Sequence, residues 1–125
     1  MVNFQSIKLN NKDPVYAQIV LFVKQQILTK NAVSGEEMPS RRELAAQLNI
    51  NPNTVQKAYK LLEKEDIIET HGNQGSIICI DEASFSRIED ELTRGMVREF
   101  ISSAKAINLS FKRVFDLISE MWEED

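Results

Sequence analysis

Several residue types that chemistry depends on are scarce in this 125-residue chain, and each scarcity removes a class of function. One cysteine, Cys79, cannot form an internal disulfide, and one histidine, His71, cannot build a cluster with metal-ligand spacing. One His and one Cys also supply no nucleophile–base pair with a plausible partner, so catalysis is not expected. Four glycines are too few and too scattered for a phosphate-cradling loop. The longest apolar run, residues 19–23, is far too short to span a bilayer. The opening MVNFQSIKLNNKD lacks the charged start and apolar core of a secretory signal, so the expected location is the cytoplasm, with no membrane partner. No cofactor or metal is expected.

What is present is an ordinary globular composition, 42% hydrophobic and 27% charged. The net charge of −4 is unevenly spread. Residues 1–80 carry nine Lys and Arg against eight Asp and Glu, whereas residues 81–125 carry six against eleven. The acidity thus belongs to the last third, and the whole-chain charge says little about a nucleic-acid partner for the first part.

Hydrophobic spacing predicts a first helix over residues 14–30, with Asp13 as cap, Pro14 at its first position and Val15, Ile19, Phe22, Val23 and Ile27 facing inward. A short helix is expected over 40–48, where Ser40 and Glu43 have capping-box spacing. A third, over 51–64, is capped by Asn51 with Pro52 next to it. Its Val55, Ala58, Tyr59 and Leu62 recur at inward spacing, while Asn53, Gln56, Lys57, Lys60 and Lys64 share the opposite side. Two β-rich runs, 67–70 and 76–80, flank a tip of His71, Gly72, Asn73, Gln74 and Gly75 and read as a hairpin. Cys79, among isoleucines, reads as a small buried hydrophobe. Helices over 81–104 and 111–122 close the chain, separated by Asn108 and Ser110.

The order of short helix, tight turn, helix and Gly-tipped hairpin is that of a helix-turn-helix with a wing, on a mainly α fold. In that arrangement the second helix enters the DNA major groove with its N-terminal residues at the base edges. Asn53 and Gln56 can pair bidentately with adenine, and Arg42, Lys57 and Lys60 suit phosphates. In isolation, the lysine stripe would read as a solvated face, Ser40 as a cap, Arg41 and Arg42 as surface arginines, and Tyr59 as core. The competing reading is a winged helix that binds another protein without sequence-specific DNA binding.

The motifs DPVYAQI at 13–19, MPSRRELA at 38–45 and NPNTVQKAY at 51–59 resemble those of the GntR family of bacterial transcription regulators. The resemblance implies a winged helix-turn-helix over residues 1–80 that binds palindromic operators as a dimer, commonly as a repressor. By position it places DNA contacts on Ser40, Arg42, Asn51, Asn53, Thr54, Lys57 and Tyr59, with Gly75 at the wing tip; Arg41, Pro52, Gln56 and Lys60 beside them complete the expected DNA-binding set. Two departures stand out: Asp66 occupies a place where the family usually has glycine, and the wing run from Gly72 to Ser76 is one residue longer than usual. Residues 81–125 are too few for the large effector domains of most subfamilies. They are similar to the two-helix tail of the YtrA-type subfamily, which dimerises and whose members often sit beside transporter genes. The expected dimer interface is Phe85, Ile88, Leu92, Met96, Phe100, Phe111, Phe115, Ile118 and Trp122. A small-molecule effector, if one acts, would sit between the tail helices around Met96, Phe100, Phe111 and Phe115.

Overall fold

The computed structural model of the protein describes residues 1–72 and 75–124. The described residues form five helices and one hairpin: α1 (Val15–Leu28), α2 (Arg41–Leu48), α3 (Pro52–Lys64), β1 (Ile68–Thr70), β2 (Ser76–Ile78), α4 (Glu82–Ala106) and α5 (Phe111–Met121). The chain divides into two compact units, Met1–Ile88 and Glu89–Asp125, so the first turns of α4 pack with the first unit. No helix among the described residues is long and apolar enough to cross a membrane.

In the first unit α3 packs against both α1 and α2. Ile19, Val23, Leu44, Val55, Ala58 and Leu62 are buried at their junction. Val2 and Phe4, which the sequence reading leaves unassigned, join this core, with the Phe4 ring 5.2 Å from that of Phe22. The start of α1 differs from expectation. Pro14 is the cap residue and no side chain caps the helix. The Gln18 amide instead donates to the Asn10 and Asp13 carbonyls, at 3.0 and 2.8 Å, and the Asn10 side chain accepts the Asp13 N–H. Asp13 is therefore not the cap: its backbone N–H and carbonyl are taken up in the Asn10–Gln18 loop, and no side chain bonds to the free N–H groups of the first turn.

Strands β1 and β2 pair antiparallel, with Ile68 opposite Ile78 and Thr70 opposite Ser76. The segment before α2, expected to be plain loop, runs along β2. Glu37 bridges to Ile77, the Met38 N–H donates to the Ser76 carbonyl at 2.9 Å, and the Ile78 N–H donates to the Glu36 carbonyl at 2.8 Å. The wing is thereby tied to the segment leading into α2. Cys79 is half-exposed rather than buried, and partial burial with a hydrogen bond to Glu69 pushes its thiol pKa up. Asn73 and Gln74 of the expected wing tip lie outside the described residues.

With so little glycine, left-handed backbone falls to other residues. Lys30, Asn49, Asp66 and Asn108 all have φ between 55° and 63°. Asn tolerates that conformation best, and Asn49 uses it to turn the chain between α2 and α3. Asp66 uses it after α3, the position where the resemblance led glycine to be expected.

Candidate nucleic-acid interface

The α2–turn–α3 unit is fixed by caps at both helix starts. The Ser40 hydroxyl accepts the Glu43 N–H at 3.1 Å, and the Glu43 carboxylate accepts the Ser40 N–H at 3.2 Å. Because that hydroxyl accepts from the helix, its own O–H remains available to donate outward. The Asn51 side chain accepts the Asn53 N–H at 2.8 Å, and Pro52 has no N–H to satisfy. Buried Val55, Ala58, Tyr59 and Leu62 hold the helix down by one side. The opposite side then carries Asn53, Lys57, Lys60 and Lys64 exposed, with Thr54 and Gln56 half-exposed. Ser40, Arg42, Asn51 and Pro52 are exposed as well.

Two predicted contacts are used inside the fold. Tyr59 is 1% exposed and its hydroxyl donates to the Pro39 carbonyl at 2.6 Å. Burial pushes its pKa far above the usual phenol range, so it stays a protonated donor. This corrects the expectation of a DNA contact: the residue locks α3 to the segment before α2. Arg41 lies with its guanidinium 4.9 Å from the Tyr59 ring centroid and 2.9 Å from the Glu63 carboxylate. Its Nε is buried without a hydrogen-bond partner. Arg41 thus braces α2 against α3, while its neighbour Arg42 points to solvent. The brace continues into the wing, since Glu63 also accepts from the Thr70 hydroxyl at 3.1 Å, and Thr70 meets the Ser76 hydroxyl at 2.8 Å.

The acidic groups at the end of α3 are drawn into ion pairs. Glu63 is paired with Arg41, and Glu65 lies 3.0 Å from the buried Lys24 ammonium. The outward lysines are therefore not cancelled by these carboxylates. In the wing, Gly75 has φ +81°, which a side chain would strain although space is open around it. His71 is exposed, with Nε2 3.3 Å from the Glu69 carboxylate. Among the described residues no group of three or more His, Cys, Asp or Glu could hold a metal ion. Sequence reasoning gave Tyr16 no role, yet the Lys57 ammonium sits 4.0 Å from its ring centroid. A half-exposed tyrosine in the first turn of α1, within the DPVYAQI motif, was the available signal.

In the second unit, Met96, Phe100, Phe111, Phe115, Ile118 and Trp122 are exposed, with Phe111 and Phe115 ring centroids 6.1 Å apart. Leu92 is half-exposed. Ile88 is not part of this surface: it is 1% exposed and belongs to the core of the first unit, as it closes off the first turns of α4. Phe85, in the same unit, is half-buried with the Lys30 ammonium 6.0 Å from its ring centroid. An open apolar groove of about 720 Å³ lies between α4 and α5, lined by Phe100, Leu109, Val114, Leu117, Ile118, Met121 and Trp122. Of the residues expected around an effector cavity, Phe100 lines it, whereas Met96, Phe111 and Phe115 lie outside its lining.

The family model for "Bacterial regulatory proteins, gntR family" matches residues 15–78, which hold all three helices of the first unit's core and the wing. The chain belongs to the GntR family. As a GntR-type helix-turn-helix protein it is a DNA-binding transcription regulator. It is 32% identical to the uncharacterized HTH-type transcriptional regulator YhcF of Bacillus subtilis (strain 168), over 96% of this chain and 95% of that one. It is 34% identical to the HTH-type transcriptional repressor YtrA of the same organism, over 86% of this chain and 84% of that protein. Among solved structures, a GntR family transcriptional regulator from Listeria monocytogenes superposes with a TM-score of 0.80 at 28% identity, covering 90% of this chain and 98% of that one.

Proposed function

We propose that this GntR regulator is a repressor that binds a palindromic operator as a homodimer. The helix α3 enters the major groove with Asn53 and Gln56 at base edges. Ser40, Arg42, Asn51, Thr54, Lys57 and Lys60 contact phosphates and flanking edges, and the Gly75 wing lies beside them. The observation that carries this reading is the division of α3 into one buried side and one outward polar, basic side beginning at its capped N-terminus. Repression is favoured by the likeness to YtrA, itself named a repressor. The YtrA-type resemblance makes a transporter operon the target to test first. The exposed apolar side chains of Glu89–Asp125 supply the surface for a twofold partner, and a symmetric dimer reads a symmetric site.

A fluorescence-anisotropy titration of a duplex from the protein's own promoter against a scrambled duplex, at two salt concentrations, tests this. The promoter duplex should bind ~10³-fold tighter, with affinity falling steeply as salt rises. Arg42→Ala and Lys57→Glu should both weaken binding and flatten the salt dependence. Equal binding of both duplexes, unchanged in Lys57→Glu, would favour a protein partner for the winged helix instead.

A further inference from the structure

Cations in the first unit are held in two different ways. Arg41 and Lys24 lie against carboxylates, Glu63 at 2.9 Å and Glu65 at 3.0 Å, which cancel their charge. Lys57 instead lies over the neutral ring of Tyr16, its ammonium 4.0 Å from the centroid, within the range where a ring face attracts a cation. A ring fixes an ammonium in place and leaves its full charge directed at whatever approaches. We propose that Tyr16 is a positioning residue of the DNA interface, holding Lys57 ready for a phosphate before DNA arrives. The inference rests on the reading of Lys57 as a phosphate contact given above.

A lysine side chain has four rotatable bonds and loses that freedom when its ammonium is pinned to a phosphate. A platform that already restricts it reduces the loss, which is the general gain from pre-organisation. Tyr16 is suited to this by its place. It stands in the first turn of α1, half-exposed at the rim, while Ile19, Val20 and Val23 of the same helix turn into the core. Under this proposal α1 contributes to the interface through α3.

The test is a set of titrations with the tightest duplex selected from a randomised pool, using the full chain as wild type, Tyr16→Phe, Tyr16→Leu, Lys57→Met and Tyr16→Leu/Lys57→Met. Tyr16→Leu should bind about two- to fivefold more weakly, with its salt slope unchanged, and Tyr16→Phe should restore the wild-type affinity. Lys57→Met should lower the salt slope by about one. In that background Tyr16→Leu should add nothing. Thermal melts confirm that each variant is folded. The Lys57 ε-methylene protons should show a ring-current shift without DNA, lost in Tyr16→Leu.

An equal loss from Tyr16→Leu with and without Lys57 would overturn the proposal, as would a Tyr16→Phe defect as large as that of Tyr16→Leu. Wild-type binding by Lys57→Met, with loss in Arg42→Ala, would remove Lys57 and Tyr16 from the interface and leave the docking of α3 standing.

Discussion

Apolar side chains meet opposite fates on the two sides of Ile88. In Met1–Ile88 most of the large ones, among them Phe4, Ile19, Leu44, Tyr59, Leu62 and Ile78, are buried within the unit itself, with Met1, Leu21 and Val33 the exposed exceptions among the described residues. In Glu89–Asp125 Ala104 is the one buried residue among those described, while Met96, Phe111 and Trp122 are 68%, 83% and 76% exposed. Three helices and a hairpin enclose a core, whereas two helices offer each other one seam and leave the rest of their apolar surface open. Soluble monomers rarely leave so much clustered apolar surface open without a binding purpose. The first unit is thus built to hold a shape, and under the proposed homodimer the second is built to find a copy of itself.

The comparison can be broken from either side. Leu62→Ala opens a cavity at a site with no exposure and should destabilise the first unit by about 2–5 kcal/mol, read by urea unfolding. Met96→Ala, already exposed, should cost far less in the same measurement. Phe100→Glu with Phe115→Glu should leave the first unit folded yet shift the species from a dimer to a single 14.3 kDa chain by light scattering. Operator affinity should then fall roughly hundredfold, since each half-site is bound alone. A monomeric wild type would end the dimer reading.

Asp66→Gly should stabilise by about 0.5–1 kcal/mol in thermal melts, because φ +60° suits glycine, and Asp66→Ala should not. The smallest effect belongs to Asp81, at the junction before α4. The Ser84 hydroxyl and N–H donate to its carboxylate at 2.6 and 2.8 Å and hold its pKa below the usual carboxylate range. A depressed pKa contributes stability above the ordinary carboxylate pKa that is lost as pH falls through the folded value. The melting advantage of wild type over Asp81→Asn should therefore be present at neutral pH and vanish on acidification.

The sequence made the helices legible because each carries its own start signal and stripe. Ser40 with Glu43, Asn51 with Pro52, and Ser110 all cap as their residue types suggest. The expected hairpin overruns only at Ile80: past the Ile68–Ile78 pair the Cys79 N–H still donates to the Ile67 carbonyl at 2.9 Å, whereas the Ile80 N–H turns to the Ser34 hydroxyl. Non-local features stayed hidden. Asp13 looks like a cap until Gln18 and Asn10 close the loop beside it. Val2 and Phe4 show no periodicity that would place them in a core. Arg41 and Arg42 are identical neighbours in sequence, and only the fold decides that one braces and the other faces outward. The same holds for Tyr16 and Lys57, two helices apart.

The two-sided build of α3 also bears on how such a regulator can diverge. Its inner residues, Val55, Ala58, Tyr59 and Leu62, hold the fold, and its outer ones, Asn53, Gln56 and Lys60, carry little of it. Exchanges at exposed positions of this kind typically alter stability by less than about 0.5 kcal/mol. Under the proposed docking of α3, duplicated copies can therefore drift toward new operators by changing a few outward side chains, with little risk of unfolding along the way. On that reading sequence preference is an adjustable surface laid over a fixed mould.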